Sequence, residues 1–228
     1  MAVAAGLLFC VFMMLGTWQV QRRAWKLDLI ARVDQRVHAP VVPPPPPAEW
    51  SQVTAANSEY RHVRVTGTYL NDSETLVQAL TELGAGEWVL TPLRLQDGSI
   101  VMVNRGFVPP ERRERAAHGA GPATSAATVT GLLRITEPKG WFLRRNDPAR
   151  NLWYSRDVQA IAAARGLSRV APYFVDEEAG VDSAAPVGGL TVIAFRNTHL
   201  VYAITWYGLA LMVLVGAWIV IREERRRA

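Results

Sequence analysis

Two long apolar stretches stand at the ends of this chain, and shorter runs of alternating apolar and polar residues lie between them. Residues 1–20 carry no charged side chain, and neither do residues 200–221. An α-helix of about 20 apolar residues is long enough to cross the hydrocarbon core of a bilayer. The pattern therefore predicts two transmembrane helices, over 1–20 and 196–221.

The first apolar stretch has the secretory signal peptide as its alternative interpretation. Such a peptide opens with basic residues and ends in small residues at a cleavage site. Here Trp18, Gln19 and Arg22 follow the apolar run, and the bulky Phe9 before Cys10 does not fit a lipoprotein signal. We interpret the stretch as an uncleaved anchor.

The region between the two predicted helices begins with a proline-rich linker. Residues 21–59 form a juxtamembrane segment that includes five consecutive prolines, Pro43 to Pro47. Consecutive prolines favour an extended helix, so we expect a stiff spacer between membrane and domain. The alternative is a docking ligand for a proline-binding module.

Residues 60–195 have the pattern of a β-rich domain. Short alternating runs bounded by turn residues predict strands over 61–70, 74–80, 88–95, 99–107, 128–135 and 171–177, with Val63, Val65 and Tyr69 on one face of the first. The glycines at 84 and 86 are assigned to a turn, and 108–127 and 180–189 to loops.

One helix is predicted inside this domain, over 156–165. Ser155 is its expected N-cap and Gly166 its expected end. The chain is thus predicted to be an α+β membrane protein. Two transmembrane helices flank an antiparallel sheet or small β-barrel that carries one or two helices, and a basic tail over 222–228 follows.

The charge distribution excludes one class of partner but leaves the orientation open. Residues 21–198 contain 21 Lys and Arg against 18 Asp and Glu, without a basic block, so a nucleic-acid groove is not expected. Arg222 and its basic neighbours favour a cytoplasmic C-terminus, whereas Arg22, Arg23 and Lys26 favour a cytoplasmic middle domain.

Candidate chemistry in the middle domain is sparse. Cys10 is the only cysteine, which argues against thiol-based copper carriage, and no nucleophile stands near a plausible base. Arg144, Arg145 and Arg150 could bind anionic groups such as lipid headgroups or propionates. The alternative is a surface loop whose aromatics fill the core; these are Trp141, Trp153 and Tyr154.

Position distinguishes His199 from the other three histidines, His38, His62 and His118, none of which stands at metal-binding spacing from another. At helical periodicity it shares a face with four residues of the second membrane helix, Tyr202, Ala203, Trp206 and Ala210. A neutral imidazole there could ligate haem iron, with Trp206 and the two alanines as an apolar wall. The alternative is an interfacial anchor, since His, Tyr and Trp all concentrate at membrane surfaces.

Five stretches in order resemble one family. They are LGTWQVQRRAWK (15–26), GTYL (67–70), VLTPLRLQDGSIVMVNRGFVP (89–109), VTGLLR (129–134) and RNTHLVYAITWYGLA (196–210). Together they resemble the SURF1 family, the cytochrome c oxidase assembly proteins.

The resemblance implies a non-enzymatic membrane protein whose middle domain lies outside the cytoplasm. It implies haem a as a transient cofactor, with His199 as the metal ligand, Tyr202 and Trp206 beside it, and Trp18 and Gln19 on the other side. The implied partners are the oxidase catalytic subunit, the machinery that synthesises haem a, and membrane lipid. Since no transit segment precedes the first helix, we expect the bacterial plasma membrane.

Two alternatives to this function stay open at the level of sequence. One is an oxidase assembly scaffold that does not bind haem. The other is a membrane-anchored enzyme of unknown reaction, which would need a polar cluster in the folded domain.

Overall fold

The computed structural model describes residues 2–113, 126–140, 144–180, 186–191 and 197–227. The chain divides into two compact units, one built from residues 1–34 and 193–228 and the other from residues 35–192. The α-helices are α1 (Ala2–Val37), α2 (Ala55–Ser58), α3 (Val158–Ala164) and α4 (His199–Arg227). The strands are β1 (His62–Tyr69), β2 (Thr75–Thr81), β3 (Gly84–Leu95), β4 (Ile100–Val108), β5 (Ala127–Ile135) and β6 (Val170–Glu177). Short 3₁₀-helices lie at Pro47–Gln52, Asn71–Ser73, Pro110–Arg112 and Pro148–Arg150.

The two terminal helices are long and apolar enough to cross a membrane, which is consistent with a membrane-anchored protein. The 36 residues of α1 span about 54 Å, well beyond the roughly 30 Å of a hydrocarbon core. The helix continues from residue 21 to Val37 because no glycine or proline interrupts the chain between Gly16 and Pro40. The predicted basic tail is likewise helical as far as Arg227.

The second unit is built on a small closed barrel. The sheet order is β1-β5-β6-β4-β3-β2, and a further antiparallel pairing of β1 with β3 closes five of these strands on themselves. Gly67 lies at this closure opposite Leu95, and a Cβ atom there would clash with the carbonyl oxygen of Arg94. Strand β2 stays outside the ring and pairs with β3.

Two cores hold the barrel together, one on each side of its central strands. The interior contains the predicted face of β1, with Val63 and Val65 at 1% exposure or less, and Tyr69 packs against it partly buried. Alternate residues of β4 and β6, such as Met102 and Phe174, point the other way into a second core beneath α3. Since these strands are covered on both faces, their apolar residues run almost without interruption.

The sheet is not wholly antiparallel. Strands β4 and β6 pair in parallel, with Met102 opposite Phe174 and Asn104 opposite Asp176. A parallel pair needs a long crossover connection, and here β5 and α3 lie within it.

Two local predictions were wrong in detail. The turn between β2 and β3 consists of Glu82 and Leu83, so the glycines at 84 and 86 begin strand β3 instead. Asp157, not Ser155, caps α3 by accepting a 3.1 Å hydrogen bond from the amide of Ala160. The expected helix end at Gly166 is confirmed by its positive φ of 65°.

The proline-rich segment packs against the barrel rather than standing clear of it as a spacer. Val42 forms a parallel bridge with Val63. Pro45 is buried, and its carbonyl oxygen accepts hydrogen bonds from the Tyr173 hydroxyl at 2.9 Å and the Trp50 indole at 3.1 Å. The segment therefore belongs to the folded domain from Val42 onward.

Candidate functional site

The helix pair brings His199 and Gln19 together, although 180 residues separate them in the chain. Nδ1 of His199, at the start of α4, lies 2.7 Å from Oε1 of Gln19 on α1. Gln19 is only 9% exposed, and His199 is half-buried. Because an amide oxygen can only accept, the imidazole donates from Nδ1, and in the neutral form of the ring Nε2 then carries the lone pair. No residue in the described part of the chain bonds to that second nitrogen.

A seam of small and aromatic side chains holds α1 and α4 at this distance. Trp206 stacks on Phe12 with 5.7 Å between ring centroids. Tyr207 lies against Gly16, where an added Cβ would come within 2.6 Å of the ring, and its hydroxyl is 3.2 Å from that of Thr17. The seam fixes the backbone positions from which Gln19 and His199 meet.

The two alanines predicted as part of an apolar wall are covered by this packing. Ala203 and Ala210 are 2% and 1% exposed on the face of α4 that carries Trp206, so they belong to the helix seam. Tyr202 and Trp18 are instead 53% and 54% exposed on the outside of the pair. Of the five predicted site residues, His199, Gln19 and Trp206 thus lie at the seam, and the other two flank it.

His199, with Gln19 behind it, is arranged as a histidine that would hold a metal such as haem iron. Histidines that bind metals through one ring nitrogen usually donate the other N–H to a fixed acceptor, which sets the tautomer and the ring orientation. Gln19 supplies that acceptor. Among the described residues no group of three or more His, Cys, Asp or Glu side chains could hold a metal ion.

The other histidines have different surroundings. His62 faces Glu178, with 2.7 Å between Nε2 and the carboxylate, and its Nδ1 lies 3.2 Å from the carbonyl oxygen of Ala39. His38 is exposed at the end of α1. His118 and Trp141 lie outside the described residues.

Sequence reasoning missed a buried cluster of charged and polar side chains in the barrel domain. Asp176 on β6 is 5% exposed and accepts from Asn104 at 2.8 Å, Arg134 at 3.0 Å, Arg156 at 3.1 Å and Thr191 at 2.9 Å. Each residue comes from a different segment of the chain, so no local sequence motif predicts the cluster. The only sequence signal was a charged residue at the end of each of two apolar strands.

Arg156 is the centre of the electrostatics in this cluster. It forms a second, two-pronged pair with Glu137, at 3.1 Å and 2.5 Å, and its guanidinium lies between the rings of Trp88 and Phe174. Burial disfavours the charged form of Glu137, but the hydrogen bonds and charge of Arg156 outweigh it and hold the pKa of Glu137 below its ordinary value. Burial likewise opposes the charge on Arg156, and Asp176 and Glu137 together still raise its pKa.

The cluster lines a cleft of about 260 Å³, yet its chemistry is that of a structural clamp. Asp176 and Glu137 are both bonded to arginine, and the lowered pKa of Glu137 makes that carboxylate a poor general base. The bonds tie β4, β5 and β6 to the loop before α3. The enzyme alternative stays a prediction of the sequence.

The arginine-rich segment places one of its aromatic residues in the core, and anion binding by its arginines stays a prediction of the sequence. Trp153 is 1% exposed in the second core, as the surface-loop interpretation expects, and Tyr154 is half-buried. Arg150 is exposed and lies 3.7 Å from Asp147. Arg144 lines a separate cavity together with Tyr154.

Comparison with known proteins gives matches along most of the chain. The model of the SURF1 family matches residues 6–211, which include the described parts of both terminal helices around Gln19 and His199. Surfeit locus protein 1 of Rattus norvegicus is 37% identical over 213 residues, covering 86% of this chain and 67% of that protein. Surfeit locus protein 1 of Homo sapiens is 37% identical over 215 residues, covering 86% and 69%. A SURF1-like protein of Monosiga brevicollis is 35% identical over 225 residues, covering 92% and 83%. A match of this length and identity shows that the chain belongs to the SURF1 family.

Proposed function

We propose that this protein is a non-enzymatic, membrane-anchored assembly factor for cytochrome c oxidase, which holds haem a through His199 and presents it to the oxidase catalytic subunit. Membership of the SURF1 family supports the role in cytochrome c oxidase assembly. The two long apolar helices support anchoring in a membrane.

The contact between Gln19 and His199 is the observation that carries the haem proposal. A nearly buried amide oxygen 2.7 Å from Nδ1 keeps the imidazole in one tautomer and one orientation. In the neutral form of the ring Nε2 then carries the lone pair, which is the donor that haem iron takes from histidine in globins and peroxidases. An imidazole acting only as an interfacial anchor has no need of such an acceptor.

The surroundings of His199 suit a lipophilic cargo. Tyr202 and Trp18 are exposed aromatic side chains on the two helices, and Trp206 is fixed in the seam beside them. Haem a is large and apolar, so a site at the edge of the membrane spares it from contact with water. The machinery that synthesises haem a would donate it to this protein, and the oxidase catalytic subunit would accept it. The location in the bacterial plasma membrane and the extracytoplasmic side of the barrel domain stay predictions of the sequence.

Haem content of the purified protein tests this function. The full-length protein is purified in detergent from cells that make haem a, and its absorption spectrum is compared with those of His199→Ala, Gln19→Leu and the control His38→Ala. We expect wild type and the control to carry equal haem, His199→Ala to carry none, and Gln19→Leu to lose roughly tenfold in haem affinity, the size of effect seen when the acceptor behind a metal-bound histidine is removed.

Two results would separate the alternatives. Equal haem in wild type and His199→Ala would remove His199 from the mechanism. Protein that always purifies without haem but still binds the catalytic subunit would establish the scaffold function instead.

A further inference from the structure

Basic side chains flank both ends of the apolar helix pair. On α1 they lie within residues 22–26, and on α4 they lie within residues 222–227. The contact between Gln19 and His199 places the first group at the end of the pair where α4 begins, so the two groups lie at opposite ends. The preference of basic residues for the cytoplasmic side of a membrane accounts for only one of two opposite groups. The other group needs a different explanation.

The basic group on α1 carries charge that no acid compensates. Residues 21–27 contain three cations and no acid; the cations are Arg22, Arg23 and Lys26. The next carboxylate along the helix, Asp28, pairs with Arg32, and no carboxylate in the described part of the chain forms an ion pair with the three cations. On α4, by contrast, Arg227 pairs with Glu223 at 3.0 Å. The group on α1 is therefore the stronger candidate for a negatively charged ligand.

The length of α1 sets the depth of this group in a bilayer. Residues 2–20 carry no charge and extend about 29 Å as a helix, which matches the thickness of a hydrocarbon core. When this stretch fills the core, Arg22 and Lys26 lie about 3 Å and about 9 Å beyond Val20 along the helix axis. The headgroup layer on each side of a bilayer is about 5–8 Å thick. The three cations therefore lie at the level of the lipid phosphates, on a helix that continues to Val37.

One face of α1 at this level has a cation between two aromatic side chains. Trp18, Arg22 and Trp25 follow one another at i, i+4 and i+7, so they share a face of the helix. Trp18 is 54% exposed and Trp25 is 48% exposed, and Arg22 is exposed between them. The guanidinium of Arg22 lies 4.1 Å from the centroid of the Trp25 ring. This contact restrains the guanidinium without neutralising its charge.

We propose that Arg22, restrained by Trp25, is the centre of a binding site for the phosphate of an anionic phospholipid, to which Arg23 and Lys26 add positive charge. A guanidinium pairs with phosphate through two N–H groups, and indole rings concentrate at the headgroup level of a membrane. Clustered Lys and Arg side chains at this level attract anionic lipids. The proposal does not depend on haem binding, since none of these four residues belongs to the proposed haem site.

The test is native mass spectrometry of the purified full-length protein in detergent, titrated with phosphatidylglycerol or with phosphatidylcholine. Both lipids carry a phosphate, but only the first has a net negative charge. Each bound lipid adds its own mass, so the titration gives the Kd of the first bound lipid. The variants are Arg22→Gln, Trp25→Leu, the double variant with both changes, and the control Arg225→Gln, which removes the same charge at the other end of the pair. Circular dichroism confirms that each variant is helical before it is titrated.

Wild type should bind phosphatidylglycerol roughly fivefold more tightly than phosphatidylcholine, and Arg22→Gln should lose roughly fivefold in affinity for phosphatidylglycerol. Trp25→Leu keeps the charge and loses the aromatic contact, so it should lose roughly threefold. The double variant should lose no more than Arg22→Gln, because Trp25 acts through Arg22. Arg225→Gln should bind both lipids as wild type does.

Four results would count against this site. Equal affinity of wild type for the two lipids, or equal affinity of wild type and Arg22→Gln for phosphatidylglycerol, would overturn the proposal. Equal losses in Arg22→Gln and Arg225→Gln would also overturn it, since they would show attraction to the net charge of the protein. Additive losses in the double variant would overturn the part of the proposal in which Trp25 positions Arg22.

Discussion

Removing the carboxylate of Asp176 should destabilise the barrel domain more than any change to an exposed charge. In Asp176→Ala, the side chains of Asn104, Arg134, Arg156 and Thr191 all lose an acceptor at 3.1 Å or less. Removing one partner of a buried ion pair costs about 3–5 kcal/mol. Arg156 keeps its hydrogen bonds to Glu137, and Arg134 keeps its ion pair with Glu59 at 3.4 Å, so each cation still has one carboxylate partner. We therefore expect the low end, a loss of about 3 kcal/mol in the free energy of unfolding.

Urea unfolding of the full-length protein in detergent, followed by near-ultraviolet circular dichroism, measures this loss. Arg150→Ala is the matched control, because its ion pair with Asp147 is 3.7 Å long and its side chain is 79% exposed. That variant should stay within about 0.5 kcal/mol of wild type. A loss of less than about 1 kcal/mol in Asp176→Ala would refute the interpretation of the cluster as a clamp.

Two further predictions concern the helix seam and acid stability. Gly16→Ala should lower the melting temperature of the helix pair in detergent micelles, because the new Cβ would lie 2.6 Å from the Tyr207 ring. The control is Gly208→Ala, whose new Cβ meets nothing within 4 Å and should leave the melting temperature unchanged. Equal effects of the two substitutions would contradict the packing described. The pKa of Glu137 is lowered in the folded state, so its ionisation stabilises the fold above its ordinary pKa and this contribution is lost as pH falls through the lowered value. The stability difference between wild type and Glu137→Gln should therefore shrink between about pH 6 and about pH 3, and a pH-independent difference would refute the assignment.

Local patterns in the sequence predicted the elements of this fold well where burial alone decides them. Alternation placed Val63 and Val65 on the buried face of β1, and the predicted helix over 156–165 contains α3 (Val158–Ala164). The continuation of α1 to Val37 was also readable, because helix-forming residues run without glycine or proline to that point. The predicted helix ended at residue 20 because the apolar run ends there, although the helical pattern does not.

Pairings between distant segments could not be read in the same way. The parallel contact of β4 with β6 and the closure of β1 on β3 depend on which strands meet, which a local pattern does not encode. The cluster around Asp176 shares this property, as its members are spread from Asn104 to Thr191. In the helix pair, the sequence predicted His199 at the start of the second membrane helix. It did not predict the burial of Ala203, which depends on how α1 packs against that helix.

The strand order gives β6 a particular place in the life of the chain. It is the last of the six strands to be synthesised, and it lies between β5 and β4, so it alone completes the ring. Until the ribosome has released Val170–Glu177, both of those neighbours have an unpaired edge, and the carboxylate of Asp176 is not yet present to pair with Arg134. Until β6 is synthesised, the nascent domain therefore exposes two unpaired strand edges that can pair with other chains and aggregate. The two edges need protection during synthesis, although in the folded barrel both are paired with β6.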